Sequence, residues 1–240
     1  MIMPNTNRLL RVINLTWPAF NEKHHLGWNI QEGAGGGKRA SSAKMAQLNL
    51  PDIEAAEYAM NQLGQDKLFM IRDGDHDLDK ALEALNYRII DPSSIYVCET
   101  AQLAPETLPL AQSYAVWEPL QVMHEIWSAG NIGGNRVSVM HRVHGDKTGL
   151  LARDGDTAAG TAFIALDDEI AMVHAVEVLK SCRRKGVARK LMAQAAKWAK
   201  ARGARYMSLV TTNRNVAANS LYQSMGMLPI AKYHYRIKES

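Results

Sequence analysis

One segment of the 240-residue chain limits the possible folds more than any other: a mostly apolar run, Ile170–Val178, that leads through a short basic loop into a helical pattern. Because apolar residues occupy both faces of this run, we expect a strand that is covered on both sides, near the centre of a sheet. Beyond the loop, one helix face is predicted from the spacing of Val187, Leu191, Ala195 and Trp198. These patterns predict a strand–loop–helix unit in a mixed α/β fold.

The surrounding sequence continues the alternation of strands and helices. Apolar residues at helical spacing predict helices over 119–129, 136–143, 186–202 and 216–225, and glycines follow the last two, as is common at helix C-termini. Short apolar runs between turn residues predict strands over 148–153, 161–166, 206–210 and 228–237. The second half is therefore predicted to fold as one mixed sheet with packed helices.

The first half resembles the end of the chain. Helices are predicted over 53–63 and 78–85, and strands over 67–71 and 88–97. A shift of 140 positions, from 67 to 207, places the strand 67–71 on 207–211 and places 81–87 on 221–227. This self-similarity indicates a duplicated unit, with chance similarity of two strand–helix units as the alternative.

A segment with Pro105 and Pro109 and no clear periodicity separates the halves. We therefore predict an N-terminal domain over 1–105, a linker over 106–115 and a second domain over 116–240.

The composition is globular, with 47% hydrophobic and 22% charged residues. No apolar run approaches the ~20 residues that cross a bilayer, and the N-terminus shows no secretion signal. Two cysteines, Cys98 and Cys182, do not make a disulfide framework. We therefore expect a cytoplasmic protein without a membrane partner.

The net charge of +4 is mild, and its densest cluster lies in the basic loop. That cluster has no interleaved aromatic residues and no recognised nucleic-acid motif, so we predict no nucleic-acid partner. The N–H groups of a helix's first turn attract phosphate groups. Gly186 permits a close approach of the backbone, and Ala188 is small enough not to block it. A solvated basic loop that caps an ordinary helix is the alternative.

A second glycine-rich segment, 33–39, does not match a phosphate-binding P-loop. Glu32 stands where that motif needs glycine, and Arg39 stands where it needs serine or threonine. We predict a flexible turn there.

Two motifs of the second half resemble those of the GNAT superfamily of N-acetyltransferases. Arg183-x-x-Gly186-x-Ala188 matches the family's pyrophosphate loop, Arg/Gln-x-x-Gly-x-Gly/Ala. The second motif follows in order, with methionine where the family usually has phenylalanine: Asn215-x-x-Ala218-x-x-Leu221-Tyr222-x-x-x-Gly226-Met227. The resemblance covers 116–240. It implies the GNAT acyl-CoA N-acyltransferase fold, and the repeat implies two tandem GNAT-like units, the first of them degenerate.

By this resemblance, the activity is that of an N-acetyltransferase. It would move an acetyl group from acetyl-coenzyme A to a primary amine by direct attack in a ternary complex, without a metal. Coenzyme A would lie where the strands 170–178 and 206–210 splay apart. Its pantetheine arm would pair with the backbone of Val176 and Val178, and Asn215 would contact the arm or order the next helix. The pyrophosphate would be held by Arg183, Arg184, Lys185, Gly186, Val187, Ala188 and Arg189.

Three side chains are candidates for the chemistry. Tyr222, at the family's tyrosine position, would contact the cofactor and protonate the leaving thiolate, with simple packing as the alternative. His174 lies in a run similar to the histidine strand of serotonin N-acetyltransferase and would act as base, unless it is buried for structural reasons. Glu177 is the second candidate base. Strand alternation places it opposite His174 unless a bulge intervenes, and an ion pair with arginine is its alternative role.

The resemblance leaves the acceptor open as a small-molecule or peptide amine, and it also leaves a homodimer open. Variable segments would contact the acceptor, although aromatic residues there also suit core packing: Glu125, Trp127, 131–136, Tyr233, His234 and Tyr235. An acetyl-cysteine route through Cys182 is disfavoured because the pyrophosphate, not the thioester, would lie beside it.

Ala43 and Leu82 stand where the repeat would place Arg183 and Tyr222, so we expect no coenzyme A binding in the first half. That half would form a wall of the acceptor site or a scaffold. Two further alternatives are a non-catalytic acyl-CoA sensor on the same fold and a tandem-type aminoacyl transferase.

Overall fold

The computed structural model describes residues 3–47, 49–104 and 112–238. Its first half begins with a helix and a three-stranded meander, and it ends with a strand–helix–strand unit. In chain order the elements are α1 (Thr6–Thr16), β1 (Asn21–His25), β2 (Trp28–Glu32), a 3₁₀ turn (Lys38–Ala40), β3 (Ala43–Met45), α2 (Ile53–Gln62), β4 (Lys67–Arg72), α3 (His76–Ala84), β5 (Arg88–Glu99) and α4 (Thr100–Leu103).

The second half carries the strand–loop–helix unit predicted from the sequence. Its elements are β6 (Ser113–Val116), α5 (Gln121–Ala129), α6 (Gly134–Arg142), β7 (Lys147–Asp154), β8 (Thr157–Asp167), β9 (Ile170–Val178), a 3₁₀ turn (Lys180–Cys182), α7 (Val187–Lys200), β10 (Tyr206–Thr212), α8 (Val216–Ser224) and β11 (Leu228–Lys238). Part of the predicted linker lies outside the described residues, and Ser113–Val116 at its end pairs with β7 as a strand.

All the strands of the described residues belong to one 11-stranded sheet, in the order β1-β2-β3-β4-β11-β5-β10-β9-β8-β7-β6. β5 from the first half lies between β10 and β11, and β11 from the second half lies between β4 and β5. Each half therefore contributes a strand to the other's part of the sheet, and backbone hydrogen bonds join the halves.

The repeat predicted from the sequence is present in this fold. A shift of 140 positions, from 76 to 216, moves α3 (His76–Ala84) onto α8 (Val216–Ser224) with no change in length. The same shift moves β4 onto β10 and β5 onto β11, within one residue at each end. The two exchanged strands are therefore equivalent elements of two tandem units.

Helices cover both faces of the sheet. α7 buries Leu191, Ala195 and Trp198 against one face, as its spacing predicts. On the other face, α1 packs across the junction of the two halves, because its Leu9 and Ile13 share one core with residues of β4, β5, β9, β10 and β11. Burial of each such side chain stabilises the fold by roughly 1.5–3 kcal/mol. No helix of the described ranges has both the length and the apolar character that a membrane crossing needs.

We expect the two halves to unfold together. Phe69 of β4 is completely buried and packs against Trp28 and Tyr87, so Phe69→Ala should lower the free energy of unfolding by about 3–5 kcal/mol. β11 and β5 lie between β4 and β10 in the sheet. The slowest-exchanging amides of β9 and β10 should therefore lose as much protection from hydrogen exchange as those of β4. Hydrogen exchange followed by mass spectrometry measures both, and Tyr58→Ala, at an exposed α2 position, is the control. Faster exchange in the first half alone would contradict the prediction.

Candidate active site

Strands β9 and β10 are paired over only part of their length. Their parallel ladder joins Tyr206–Leu209 to Ile170–Val173 and stops there. Beyond it, β10 remains paired with β5 as far as Thr212, whereas β9 remains paired with β8 as far as Val178. The two strands diverge into a cleft at the place predicted from the sequence.

A β-bulge lies where the strands part. Thr161 of β8 faces Glu177, and Phe163 faces His174, so β9 has one extra residue in this interval. Ala175, inside the interval, has a φ of +51°. Its carbonyl accepts a hydrogen bond of 2.8 Å from Nε1 of Trp127.

The position of Trp127 corrects the prediction that it contacts the acceptor. The side chain is completely buried in the core between α5, α6 and the sheet. Its indole N–H donates a hydrogen bond to the Ala175 carbonyl, which lies at the bulge, so Trp127 stabilises the bulged conformation of β9.

Beyond the bulge, β9 has backbone donors on the side of the cleft. Leu179 donates its N–H to the Ala159 carbonyl, on the β8 side. Because successive residues of a strand direct their N–H groups to opposite sides, Val176 and Val178 direct theirs toward the cleft. This geometry suits an extended ligand arm that adds to the strand edge.

Helix α7 begins without a side-chain cap. Gly186 occupies the N-cap position with a φ of +79°, a left-handed conformation that favours glycine, and no acidic residue lies in the first turn. The N–H groups of Val187, Ala188 and Arg189 have no carbonyl partner within the helix. Uncapped donors at the positive end of a helix dipole form an anion site.

Basic side chains surround this helix start, and carboxylates engage two of them. Lys185 Nζ lies 2.8 Å from Asp154 Oδ2, and Arg183 Nη2 lies 3.2 Å from Glu177 Oε1. Arg189 donates to the hydroxyl of Ser224. Arg184 has a φ of +64° and turns the loop toward the helix. The loop is therefore cationic, but its charges are partly balanced.

Tyr222 of α8 lies in the core that adjoins the cleft. Its ring centroid is 6.0 Å from that of Tyr96, and its side chain shares a core with residues of β9 and β10. Burial raises the pKa of Tyr222 to about 12. The phenol is therefore protonated at neutral pH, as an acid must be.

His174 is held as a neutral imidazole. Arg39 Nη1 lies 3.0 Å from Nδ1, and a guanidinium can only donate, so Nδ1 is the acceptor. Nε2 then carries the proton and donates to Thr16 Oγ1 at 2.8 Å, and Thr16 donates to the Val12 carbonyl. Burial, with the Arg39 charge, holds the pKa of His174 well below its ordinary value of 6.5. Both nitrogens are engaged, which fits the structural alternative rather than a base.

Glu177 lies on the same face of the sheet as His174, because the bulge shifts the alternation by one residue. Its carboxylate pairs with Arg183, the alternative role predicted for it. It also packs against Gly130 so closely that a Cβ there would lie 2.3 Å from Oε2. Glu177 therefore ties the basic loop to the end of α5.

The remaining predicted residues lie at separate places. Asn215 caps α8 by accepting from the Ala218 N–H, so it orders that helix. Cys182 is buried in the core. Glu125 is exposed on α5, and His234 Nε2 lies 2.9 Å from Asp79 Oδ1, among the side chains of α3 and β11.

A cavity of about 250 Å³ lies next to the bulge and is lined by both halves of the chain. Ala175 and the end of β10 border it, as do the predicted residues Tyr233 and Tyr235 and, from the 131–136 segment, Ile132 and Arg136. The first half supplies Trp17, Gly36, Gly37, Lys38, Arg39, Asp91 and Ser93.

The sequence predicted a wall or a scaffold from the first half but not these particular residues, although the glycines of 33–37 are their signal. The segment does form a turn, and it packs on α6. A Cβ at Gly35 would lie 2.3 Å from Asn135 Nδ2, and one at Gly36 would lie 2.6 Å from Val139 Cγ2. The Gly36 carbonyl also accepts from Trp17 Nε1. The glycines thus allow the close approach that carries Lys38 and Arg39 to the cavity.

This fold, with its diverging strands and uncapped helix start, is that of the GNAT acyltransferases. The sequence model of the acetyltransferase (GNAT) family matches residues 114–227.

Known proteins resemble the chain over nearly its whole length. YobR, an uncharacterised N-acetyltransferase of Bacillus subtilis (strain 168), is 25% identical over 249 residues, covering 98% of this chain and 100% of that protein. A GCN5-related N-acetyltransferase from Kribbella flavida has a TM-score of 0.70 at 17% identity, over 97% of this chain and 96% of that one. A tandem GNAT protein from the clavulanic acid biosynthesis pathway has a TM-score of 0.61 at 12% identity, over 97% and 87%. The two structures show that the tandem fold is shared.

The environment of His174 predicts a pH dependence of stability. Its pKa is lowered in the folded state, so the unfolded chain binds this proton more readily. The stabilisation is fully present above about pH 6.5 and is lost as the pH falls below it. Urea unfolding at pH values from 7.5 to 5 measures this effect. The contribution of His174 should lower the free energy of unfolding by up to ~1.4 kcal/mol for each pH unit. His174→Gln should lack that component, and an unchanged slope in the variant would contradict the assignment.

Proposed function

We propose that the protein transfers an acetyl group from acetyl-coenzyme A to a primary amine while both substrates are bound. The observation that carries the proposal is the divergence of β9 from β10 at the Ala175 bulge. Beside it lie two strand-edge donors, an uncapped helix start and a protonated phenol. The family of residues 114–227 and the N-acetyltransferase relative support the same reaction class.

The donor would bind through backbone groups. The first-turn N–H groups after Gly186 suit the pyrophosphate, with Arg183, Arg184 and Lys185 as nearby cations. The N–H groups of Val176 and Val178 suit the pantetheine arm, and a free N–H of this strand edge would stabilise the oxyanion that develops on the acetyl group. When bound, the thioester supplies an activated acyl group. The protein then has to orient it, protonate the sulfur and admit the amine.

Tyr222 would act as the acid. The amine is protonated at neutral pH and first loses a proton to solvent, because only the neutral nitrogen has a lone pair for attack. That nitrogen then forms a bond to the acetyl carbon as the carbon–sulfur bond breaks, and the sulfur takes the phenolic proton. The nitrogen gives up its own proton to water in the cavity, because both nitrogens of His174 are engaged and Glu177 is paired with Arg183. A proton from solvent restores the phenol.

The first half would serve as a wall of the acceptor site. Its residues line the cavity that borders Ala175, so the amine would approach from there while coenzyme A enters along β9. In this division, 116–240 is the catalytic domain and 1–105 shapes the acceptor pocket.

Tyr222→Phe tests the chemical step. With acetyl-coenzyme A and the best acceptor from an amine library, we expect kcat to fall by about 10²-fold or more, the usual contribution of a positioned acid. The dissociation constant for coenzyme A should stay near the wild-type value, because the ring that packs in the core is retained.

Tyr96→Phe is the matched control. Its hydroxyl donates to Asn219 Oδ1 and accepts from Gln223 Nε2, so it is already engaged within the fold and kcat should change little. Equal kcat for wild type and Tyr222→Phe would remove Tyr222 from the mechanism. Tight coenzyme A binding without turnover of any amine would instead favour the sensor function.

A further inference from the structure

We infer that the amine acceptor carries an anionic group, a carboxylate or a phosphate, which Arg39 and Arg136 bind in the cavity between the two halves. The inference rests on the proposed function for the reaction, but the anion site itself rests only on the structure.

The cavity adjoins the reacting end of the cleft. Ala175 and Val210–Thr212 border it, and these residues lie just beyond the last paired positions of β9 and β10. The pyrophosphate loop begins only after Leu179, at the other end of the diverging segment. A ligand in this cavity would therefore lie on the acceptor side, away from the phosphates of the donor.

Cations outnumber carboxylates around the cavity. Lys38, Arg39 and Arg136 line it together with one acid, Asp91. Asp91 is already paired, with Lys38 Nζ at 2.6 Å and with Arg214 Nη2 at 3.0 Å. The lining as a whole is therefore positive.

The two arginines have no carboxylate partner in the described part of the chain. Arg39, which is half-buried, donates to the neutral ring of His174 and lies 5.5 Å from the Trp17 ring. Arg136 donates only a long bond of 3.4 Å to the Asn131 carbonyl. A half-buried guanidinium without a counter-charge is costly, and its planar fork of donors matches a carboxylate or a phosphate.

Tyr235 belongs to the aromatic side of the cavity. Tyr235 lines the cavity, and its buried hydroxyl makes no hydrogen bond of normal geometry with a described residue. Tyr233 and Trp17 complete this apolar side. A small amine with one anionic group meets all these features, whereas a polycation would be repelled by the arginines.

Matched acceptors test the inference. Acetyl-coenzyme A consumption is measured with amino acids, with their α-amides, with O-phosphoethanolamine and with spermidine. We expect kcat/KM to favour one of the anionic acceptors over its uncharged counterpart or spermidine by roughly tenfold or more, the range of a charge-assisted hydrogen bond. The preferred acceptor shows whether the anion is a carboxylate or a phosphate. Arg136→Gln and Arg39→Gln should each reduce that preference, while Arg11→Gln, at an exposed position of α1, should not. Because Arg136 is exposed, its variant should fold even if Arg39→Gln does not.

Calorimetry without acetyl-coenzyme A distinguishes a failure of the anion site from a failure of the proposed reaction. If no amine is turned over but wild type binds an amino acid or O-phosphoethanolamine, and Arg136→Gln weakens that binding about tenfold or more, the proposed reaction fails and the anion site stands. Preferred turnover of amides or spermidine, an anion preference that both variants retain, or the absence of anion binding in wild type would overturn the inference.

Discussion

The hydrogen bond from Trp127 to the Ala175 carbonyl fixes the feature on which the candidate site depends. A regular β9 would continue its ladder with β10, and its edge N–H groups would be consumed in the sheet. The bulge instead turns β9 away after Val173 and frees the edge at Val176 and Val178. It also brings Glu177 onto the face of His174, where the carboxylate reaches Arg183 and steadies the basic loop. The buried indole of Trp127 on α5 thus stabilises the bulge that opens the cleft.

The exchange of strands makes the first half part of the site even though it lacks both family motifs. β5 lies beside β10, and Asp91 and Ser93 of β5 therefore face the cavity next to Thr211 and Thr212. α1 carries Thr16 and Trp17 to His174, and the glycine turn carries Arg39 there. His174 therefore connects the halves, because its imidazole accepts a hydrogen bond from Arg39 and donates one to Thr16, both in the first half. The contacts that join the first half to His174 thus also place its residues around the cavity.

Local sequence patterns were enough to predict the helices and most strands of the second half, but not β6, which overlaps the predicted linker. The predicted strand 170–178 has the observed bounds, and the 140-residue shift anticipated the equivalence of α3 and α8. The face of Glu177 was not predictable, because the bulge depends on Trp127, which is distant in sequence. The role of Trp127 was missed for the same reason. β1, with the exposed polar sequence Asn-Glu-Lys-His-His, carries no strand pattern. The role of the glycines of 33–37 was not predictable either, because it depends on the packing of α6 against them.

The central claim is that the start of α7 holds the pyrophosphate of coenzyme A, and calorimetric titration with coenzyme A tests it most directly. Gly186 and Gly203 flank the two ends of α7 with almost the same φ, +79° and +77°, and a Cβ at either would meet nothing within 4 Å. Glutamate at each position therefore adds the same charge and the same backbone strain, but only at position 186 does the charge face the anion site. The account predicts that wild type and Gly203→Glu bind coenzyme A alike and that Gly186→Glu binds it at least about tenfold more weakly. Equal affinity of Gly186→Glu and Gly203→Glu, or no binding by wild type, would contradict it.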